Sequence, residues 1–468
     1  MKWVLVLFAL AAAACAEPHR EVLHWVHLDA KNDDERDRFE SNRFSIVLIP
    51  EGWTSQELSA TTSTEVPDMT YPELKKTRQY PSWPDTCNRL TRAFLEKEPY
   101  KSYRNFFRIT RVDWPSDESG ITRETGNTTQ TAATAFGAYL HSDPVTKSPD
   151  RGFSFLDQAR TRQKIAEATR GLQAKVVVLL VNDRKLPYDL DRGTTNMDGT
   201  PSVVTQTCNT NRSDSTIVHE LGHAIALLGD EYADDGMPPY DGGEPDYRNL
   251  TKQTDITQCK WAHWVSRDHP EIKLVPGGYR CPSGCFHPST DCCMISNYPP
   301  FCAVCTERIV QRLYEVVSLV DRVEPTLDEM KAPFPDRKPA LRVQGQTVRV
   351  TCVAPLNAAG DQTSAKGEWR LGSSEDAKVV APARFEKVGP VYEYKVERFA
   401  GSQLHFDAFD STSQVRSGDG SDDPSSSLRG KREARGGGVH AALPSVWDWQ
   451  VGYGSVDPST LTRTSETK

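Results

Sequence analysis

Long apolar runs are scarce in this chain. Beyond the first sixteen residues, no run approaches the roughly 20 residues that a bilayer-spanning helix requires. Hydrophobic residues make up only 37% of the 468 positions, which excludes a polytopic membrane protein. Positive charge is also short, with 56 basic residues against 64 acidic ones and a formal charge of −8. Phosphate backbones need a basic face, so the balance argues against nucleic acid as a partner. No internal repeat is visible. A chain of this length exceeds one typical core and suits two or three domains. The 30 glycines and 31 prolines indicate many turns.

The N-terminus bears on the compartment. Lys2 precedes the apolar stretch Trp3 to Ala14, and Ala14-Cys15-Ala16 follows. A positive end, a short apolar stretch and a small-x-small site read as a secretory signal over 1–16. The expected location is therefore extracellular, with a lipid anchor on Cys15 as the minor alternative. Ten cysteines remain after Cys15, seven of them between Cys259 and Cys305. In an oxidising compartment they predict up to five disulfides. The competing arrangement is a cysteine–zinc site, because Cys281-x3-Cys285 and Cys302-x2-Cys305 are spaced like ligand pairs. Glycosylation acceptor triplets occur at Asn127, Asn211 and Asn249.

Three apolar runs read as buried strands: Phe44 to Ile49, Phe106 to Val112 and Lys175 to Val181. Helical patterns at about Asp85 to Leu95 and Ser154 to Leu172 alternate with them, which points to an α/β layer. The stretch from Thr54 to Pro84 is polar and reads as a loop. Another helix starts at about Asp214, with Ser213 or Asp214 as cap, buries Ile217, Val218, Leu221, Ile225 and Leu228, and is stopped by Gly229. Residues 233–300 read as irregular and disulfide-stapled, and a long helix is expected from about Ala303 to Val320. After Pro325 the period changes to two. Val348, Val350 and Cys352, then Tyr392, Tyr394 and Val396, then Leu404, Phe406 and Ala408 alternate with polar residues, as do Trp447, Trp449 and Val451. That pattern predicts a small antiparallel β-sandwich. The expected divisions are an N-terminal extension at 17–42, a catalytic unit at 43–325, a sandwich at 337–454 with a flexible insertion at 411–440, and a disordered tail at 455–468. Within the insertion, Arg429-Gly430-Lys431-Arg432 reads as a solvated basic turn.

The chemistry rests on His219-Glu220-Leu221-Gly222-His223. On a helix, positions four apart differ by about 40° and lie about 6 Å apart along the axis. Both imidazoles can then reach one ion from consecutive turns, with Glu220 on the adjoining flank, free to meet a water without coordinating. Zinc suits two imidazoles and a carboxylate with an open fourth position. Glu220 would take the proton as water attacks a carbonyl and pass it to the leaving amine. Apolar Val218, Leu221 and Ile225 place this helix in a core, not on a solvated surface. A chain reversing after the second histidine can return a carboxylate to the ion. Asp230 is the first choice for that third ligand and Glu231 the runner-up. His263, His269 and His287 are weaker candidates.

The run HELGHAIALLGDEY resembles the signature of the igalysins, the immunoglobulin A peptidase family of the metzincin clan. Asp291-Cys292-Cys293-Met294 is similar to the family's Met-turn, and Phe301-Cys302-Ala303-Val304-Cys305 to the opening of its next helix. Pro99-Tyr100, Asn105-Phe106-Phe107 and Ser116-Asp117-Glu118-Ser119-Gly120 resemble its N-terminal catalytic stretch. The resemblance implies a metzincin-like α/β catalytic domain, a twisted sheet with an active-site helix and a C-terminal helix, ahead of the all-β sandwich. It implies one catalytic Zn2+ on His219, His223 and Asp230, Glu220 as general base, and Met294 as a hydrophobic floor. Tyr298 or Tyr232 would assist the oxyanion. The family usually has glycine three or four residues before its aspartate, where Ala226 and Leu227 stand here.

The expected function is a secreted zinc endopeptidase acting on protein or peptide substrates. The sandwich is expected to contact a cell surface or glycan, or to brace the catalytic half. The alternative is a non-catalytic secreted binding protein with a structural zinc, against which a complete H-E-x-x-H counts.

Overall fold

The computed structural model describes residues 18–60, 81–325 and 347–410, with breaks at 126–127, 144–150, 185, 187–189, 211, 267–268, 358–359, 361–364, 372–377 and 396–401, and then 412, 414 and 445–451. The signal and lipid-anchor expectations, the 411–440 insertion with its basic turn, Asn127, Asn211 and the tail lie outside these residues, apart from 412 and 414. Among the described residues, no helix is long and apolar enough to cross a membrane.

The first part of the chain runs β1 (His19–Trp25), α1 (Asp33–Ser41), β2 (Phe44–Glu51), α2 (Ser55–Ser59), α3 (Trp83–Leu95) and β3 (Phe107–Asp113). Four short strands follow: β4 (Thr122–Thr125), β5 (Thr128–Gln130), β6 (Ala138–His141) and β7 (Gly152–Phe155). Then come α4 (Gln158–Ala168), β8 (Val176–Val181), β9 (Gly193–Asn196), β10 (Ser202–Thr207) and α5 (Ser213–Ala226). A hairpin β11 (Val275–Gly278) and β12 (Cys281–His287) precedes the helices α6 (Cys293–Ser296) and α7 (Ala303–Tyr314).

The central sheet has the order β1-β3-β2-β8-β10-β9. The inner strands β3, β2, β8 and β10 are parallel, and β1 and β9 add antiparallel edges. Because successive side chains point to opposite faces, runs that are apolar throughout are stable only with both faces covered. That is the case for Val176 to Val181. Val176, Val178 and Leu180 face Leu90 and Phe94 of α3 and Ile217 and Leu221 of α5. Val177 and Leu179 face Ile165 and Ala168 of α4 on the other side. Each such burial stabilises the fold by about 1.5–3 kcal/mol.

The three expected strands form within a residue or two of their sequence limits. β10 was not anticipated, because Thr205, Gln206 and Thr207 interrupt its apolar pattern, yet all six of its residues are buried. The expected helix from Ser154 is shorter: Ser154 lies in β7, and α4 begins after Asp157, whose carboxylate caps the Arg160 amide at 3.0 Å. The helix expected to reach Val320 ends at Tyr314, because Val320 is drawn into β13 (Val320–Glu324).

The expected disulfide framework does not form. All ten cysteines from Cys87 to Cys352 are free and buried. Most pack as small apolar groups in the core. The acceptor triplet at Asn249 also changes meaning. Asn249 is fully buried, and its amide donates at 2.8 Å to the Gly229 carbonyl and at 2.9 Å to Glu231 Oε1. A glycan has no room there.

Beyond β13 lie β14 (Thr347–Cys352), β15 (Ala365–Leu371), β16 (Lys378–Val380), β17 (Arg384–Phe385), β18 (Pro390–Lys395), β19 (Ser402–Asp410) and β20 (Ser445–Val451). They make two four-stranded antiparallel sheets, β13-β14-β18-β17 and β16-β15-β19-β20. Tyr392 of the first sheet packs on Phe406 of the second at 5.4 Å between rings, and its hydroxyl donates to the Ala365 carbonyl at 2.8 Å. Asp410 of β19 accepts from the hydroxyls of Tyr103 and Tyr314, which ties this part to the segment just before β3 and to α7.

Candidate metal centre

Helix α5 is buried along nearly its whole length, and His219, Glu220 and His223 sit within that buried stretch. The two imidazoles converge, with Nε2 atoms 3.1 Å apart, and Asp230 Oδ1 lies 3.2 Å from each of them. In a tetrahedral zinc site with bonds of about 2.0–2.1 Å, ligand atoms stand about 3.3–3.4 Å apart. The observed spacing needs almost no adjustment to hold an ion.

The tautomers follow from the partners. His219 Nδ1 donates to the Cys293 carbonyl at 2.9 Å, and His223 Nδ1 donates to the Leu228 carbonyl at 2.6 Å. A carbonyl oxygen can only accept, so each Nδ1 carries a hydrogen and each Nε2 directs a lone pair at the shared point. The electrostatics favour positive charge there. Burial opposes a charged imidazole at His223, yet the Asp230 and Glu220 carboxylates outweigh it and hold the ring up to about 9. Burial likewise opposes the Asp230 carboxylate, but the two imidazoles hold it well below the ordinary carboxylate range.

Asp230 arrives by a sharp reversal. The helix ends at Ala226, and Leu227 takes the left-handed conformation at φ 53° while its amide donates to the His223 carbonyl at 2.9 Å. The expected stop at Gly229 is thus corrected: the turn is made two residues earlier, by a leucine. Gly229 serves a different need, since a Cβ there would lie 2.5 Å from Leu250 Cδ1 and 2.8 Å from the Tyr247 ring. The next residue parts company with Asp230. The Glu231 amide donates to the Met294 carbonyl at 2.9 Å, and its carboxylate points toward Cys305 and Asn249, away from the histidines.

Glu220 does not join the converging atoms. Its Oε2 accepts from Thr195 Oγ1 at 2.5 Å, and Thr195 also meets the Glu220 carbonyl at 3.1 Å. Gly193, two residues earlier on β9, lies against the same carboxylate, where an added Cβ would fall 2.4 Å from Oε1. Neither residue was singled out from the sequence. Only the register of an edge strand brings them to the motif.

Met294 is fully buried, and its Sδ would lie 3.0 Å from a Cβ at Gly222, the glycine between the two histidines. Phe301 makes the same close approach at 3.0 Å. Tyr232 packs beside His219 with ring centroids 6.4 Å apart, and Arg151 Nη2 donates to its hydroxyl at 3.2 Å. Tyr298 is 55% exposed and lies beneath the Arg212 guanidinium. The weaker candidates do not join the cluster: His263 pairs with Glu307 at 2.7 Å, His269 with Glu271 at 2.9 Å, and His287 approaches Glu231 at 3.9 Å.

No curated protein matches the chain. The family model described as IgA Peptidase M64 matches residues 77–273, a stretch that contains the H-E-x-x-H segment and Asp230. By its motif, the convergence of its donor atoms and this match, the segment 77–273 is similar to the M64 peptidases, a family of metallopeptidases.

Proposed function

We infer that the chain is a secreted zinc endopeptidase that cuts internal peptide bonds. The observation that carries this reading is the placement of Glu220 beside, and not within, the His219–His223–Asp230 convergence. A purely structural site has no use for a carboxylate held in that position by Thr195. In this reading His219, His223 and Asp230 hold the ion, and their nitrogen and oxygen donor set suits zinc. Zinc in such a site supplies Lewis acidity and a water acidified to a pKa of about 7. Glu220 Oε2 receives the proton of the attacking water and delivers it to the departing nitrogen. Thr195 fixes the rotamer from which both transfers are made. Tyr232, packed beside His219, is better placed than surface Tyr298 to donate to the developing oxyanion. Met294 fills the space under the helix that Gly222 leaves open.

The sheet order, with the motif helix following β10 and Met294 beneath it, supports a metzincin-like catalytic unit. The two antiparallel sheets that meet through Tyr392 and Phe406 support a sandwich after it, available for substrate or surface contact. Secretion rests on the three-part pattern of residues 1–16.

The test pairs metal analysis with mass spectrometry of cleavage products from a mixture of denatured proteins, for the wild type and for Glu220→Gln. The expected result is internal cleavage that a chelator abolishes, and a loss of at least about 10²-fold in Glu220→Gln with metal retained. Full activity in a stringently metal-free sample, or wild-type turnover by the variant, refutes the mechanism. A metal-loaded protein that cuts nothing favours the non-catalytic binding alternative.

A further inference from the structure

A second group of ligand atoms lies behind the first. Glu231, Cys292, Cys302 and Cys305 are all buried, and one donor atom from each falls within 4.8 Å of the others. None of the three cysteines is in a disulfide. The Glu231 carboxylate is completely enclosed. Its Oε1 accepts from Asn249 Nδ2 at 2.9 Å and from the Cys305 thiol at 3.1 Å. Its Oε2 has no hydrogen-bond partner. A fully enclosed carboxylate oxygen without a donor is costly and calls for a counter-charge.

We propose that Cys292, Cys302, Cys305 and Glu231 form a second, closed zinc site that is structural and separate from the His219–His223–Asp230 site. Three thiolates and one carboxylate oxygen make a complete tetrahedral set with no open position, the mark of a structural zinc and not a catalytic one. With Zn–S bonds of about 2.3 Å and a Zn–O bond of about 2.0–2.2 Å, neighbouring ligand atoms stand about 3.5–3.8 Å apart. The present separations close to that with shifts of under about 1 Å. The formal charge of the filled site equals that of a four-cysteine zinc site. Thiolate ligands select zinc over magnesium or calcium. Cys302 caps α7 and Cys305 lies in its first turn, where the positive end of the helix favours thiolates. The Cys302 amide already donates to Cys292 Sγ at 3.4 Å. A disulfide cannot satisfy the same atoms: three thiols cannot all pair, and the carboxylate would still lack a partner.

The placement gives the ion a task. Glu231 follows Asp230 directly. Cys292 precedes Cys293, whose carbonyl orients His219, and lies two residues before Met294. Cys302 and Cys305 open α7, which packs on the motif helix. One ion would therefore clamp together the loop that delivers Asp230, the turn that orients His219, and the helix behind them.

The test uses the full-length protein purified without chelator and counts zinc per chain by plasma mass spectrometry. The expected count is two for the wild type and one for the His219→Ala/His223→Ala variant. A thiol-specific mercurial should then release the remaining ion from that variant, read with a chromophoric zinc indicator. Cobalt substituted into the same variant should show an intense near-ultraviolet sulfur-to-cobalt charge-transfer band. Glu231→Gln should weaken retention of this ion against a competing chelator by at least about tenfold. Loss of all zinc in the double histidine variant overturns the proposal. So does a Cys302–Cys305 disulfide found by alkylation mass spectrometry, or a cobalt spectrum without the sulfur band. None of these readouts depends on proteolysis, so failure here is distinguishable from failure of the catalytic reading.

Discussion

Gly193→Ala isolates the positioning of Glu220, the proposed general base, from everything else in the site. A Cβ at this position would lie 2.4 Å from Glu220 Oε1, 2.6 Å from Cγ and 2.7 Å from Cδ. Unbonded carbon atoms rest at about 3.5–4.0 Å, so the Glu220 side chain must retreat by about 1 Å. The retreat breaks the 2.5 Å contact with Thr195. A displacement of about 1 Å at a reacting group can cost about 10²-fold in rate. Folding should hardly change. Gly193 is half-buried on an edge strand and is not among the left-handed glycines, so alanine meets no backbone strain. Replacing glycine within a strand even gains about 0.5–1 kcal/mol. The assay is kcat and KM on a fluorogenic protein substrate, with thermal unfolding and metal content measured on the same sample. The expected outcome is a kcat about 10²-fold lower, an unchanged metal content and a Tm equal to or above that of the wild type. Combining Gly193→Ala with Glu220→Gln should add no further loss. A wild-type kcat in the folded single variant would refute the assignment of Glu220. So would a loss of rate that tracks loss of metal.

Asp230→Ala should leave the histidines without their carboxylate partner and lower metal affinity by at least about 10²-fold, checked by chelator competition; wild-type retention would reassign the third ligand. Thr195→Val removes a hydrogen bond to a carboxylate, worth about 1.5–3 kcal/mol, so kcat should fall by about 10–100-fold with KM little changed in steady-state kinetics. Gly222→Val pushes a side chain into Met294 Sδ and Phe301, both 3.0 Å from the Cβ position, and overpacking should destabilise the fold by about 1–3 kcal/mol in urea titration. Asp410→Ala strands the partly buried hydroxyl of Tyr314 and leaves that of Tyr103 with Thr412 Oγ1 alone, at 2.8 Å. At about 1–3 kcal/mol for an unsatisfied group, the expected loss is about 1–3 kcal/mol in denaturant titration. A denaturant midpoint equal to the wild type would show that this tie is energetically silent.

Elements whose local pattern agrees with their environment were readable in the chain itself. Val176 to Val181 is apolar at every position because both faces of its strand are covered, and no other reading suits so short a run. Tyr392 and Phe406 announced their strands by alternation, because only one face of each sheet is interior. The misreadings share a cause. Thr205, Gln206 and Thr207 look exposed by composition, yet all three pair with β8, and Thr207 Oγ1 donates to Asp191 Oδ1 at 3.2 Å. Leu227 looks helical, yet it takes a left-handed turn that glycine would adopt more cheaply. The cysteines looked like a disulfide framework because composition and compartment were the only guides to their pairing. In the fold they lie as buried thiols, three of them grouped around a glutamate.

Spacing along the chain was enough to pair His219 with His223 and to set Glu220 beside them, since helical geometry maps four residues onto one face whatever surrounds it. Everything that arrives from a distance needed the folded molecule. Asp230 and Glu231 are neighbours in sequence and chemically almost alike. They are sent to opposite sides by a turn at Leu227 and by the Met294 carbonyl that holds the Glu231 amide. Thr195 and Gly193 reach Glu220 only through strand register. A local pattern encodes which side chains share a helix face, but contacts between remote segments depend on how those segments pack, and that information resides in no single stretch of residues.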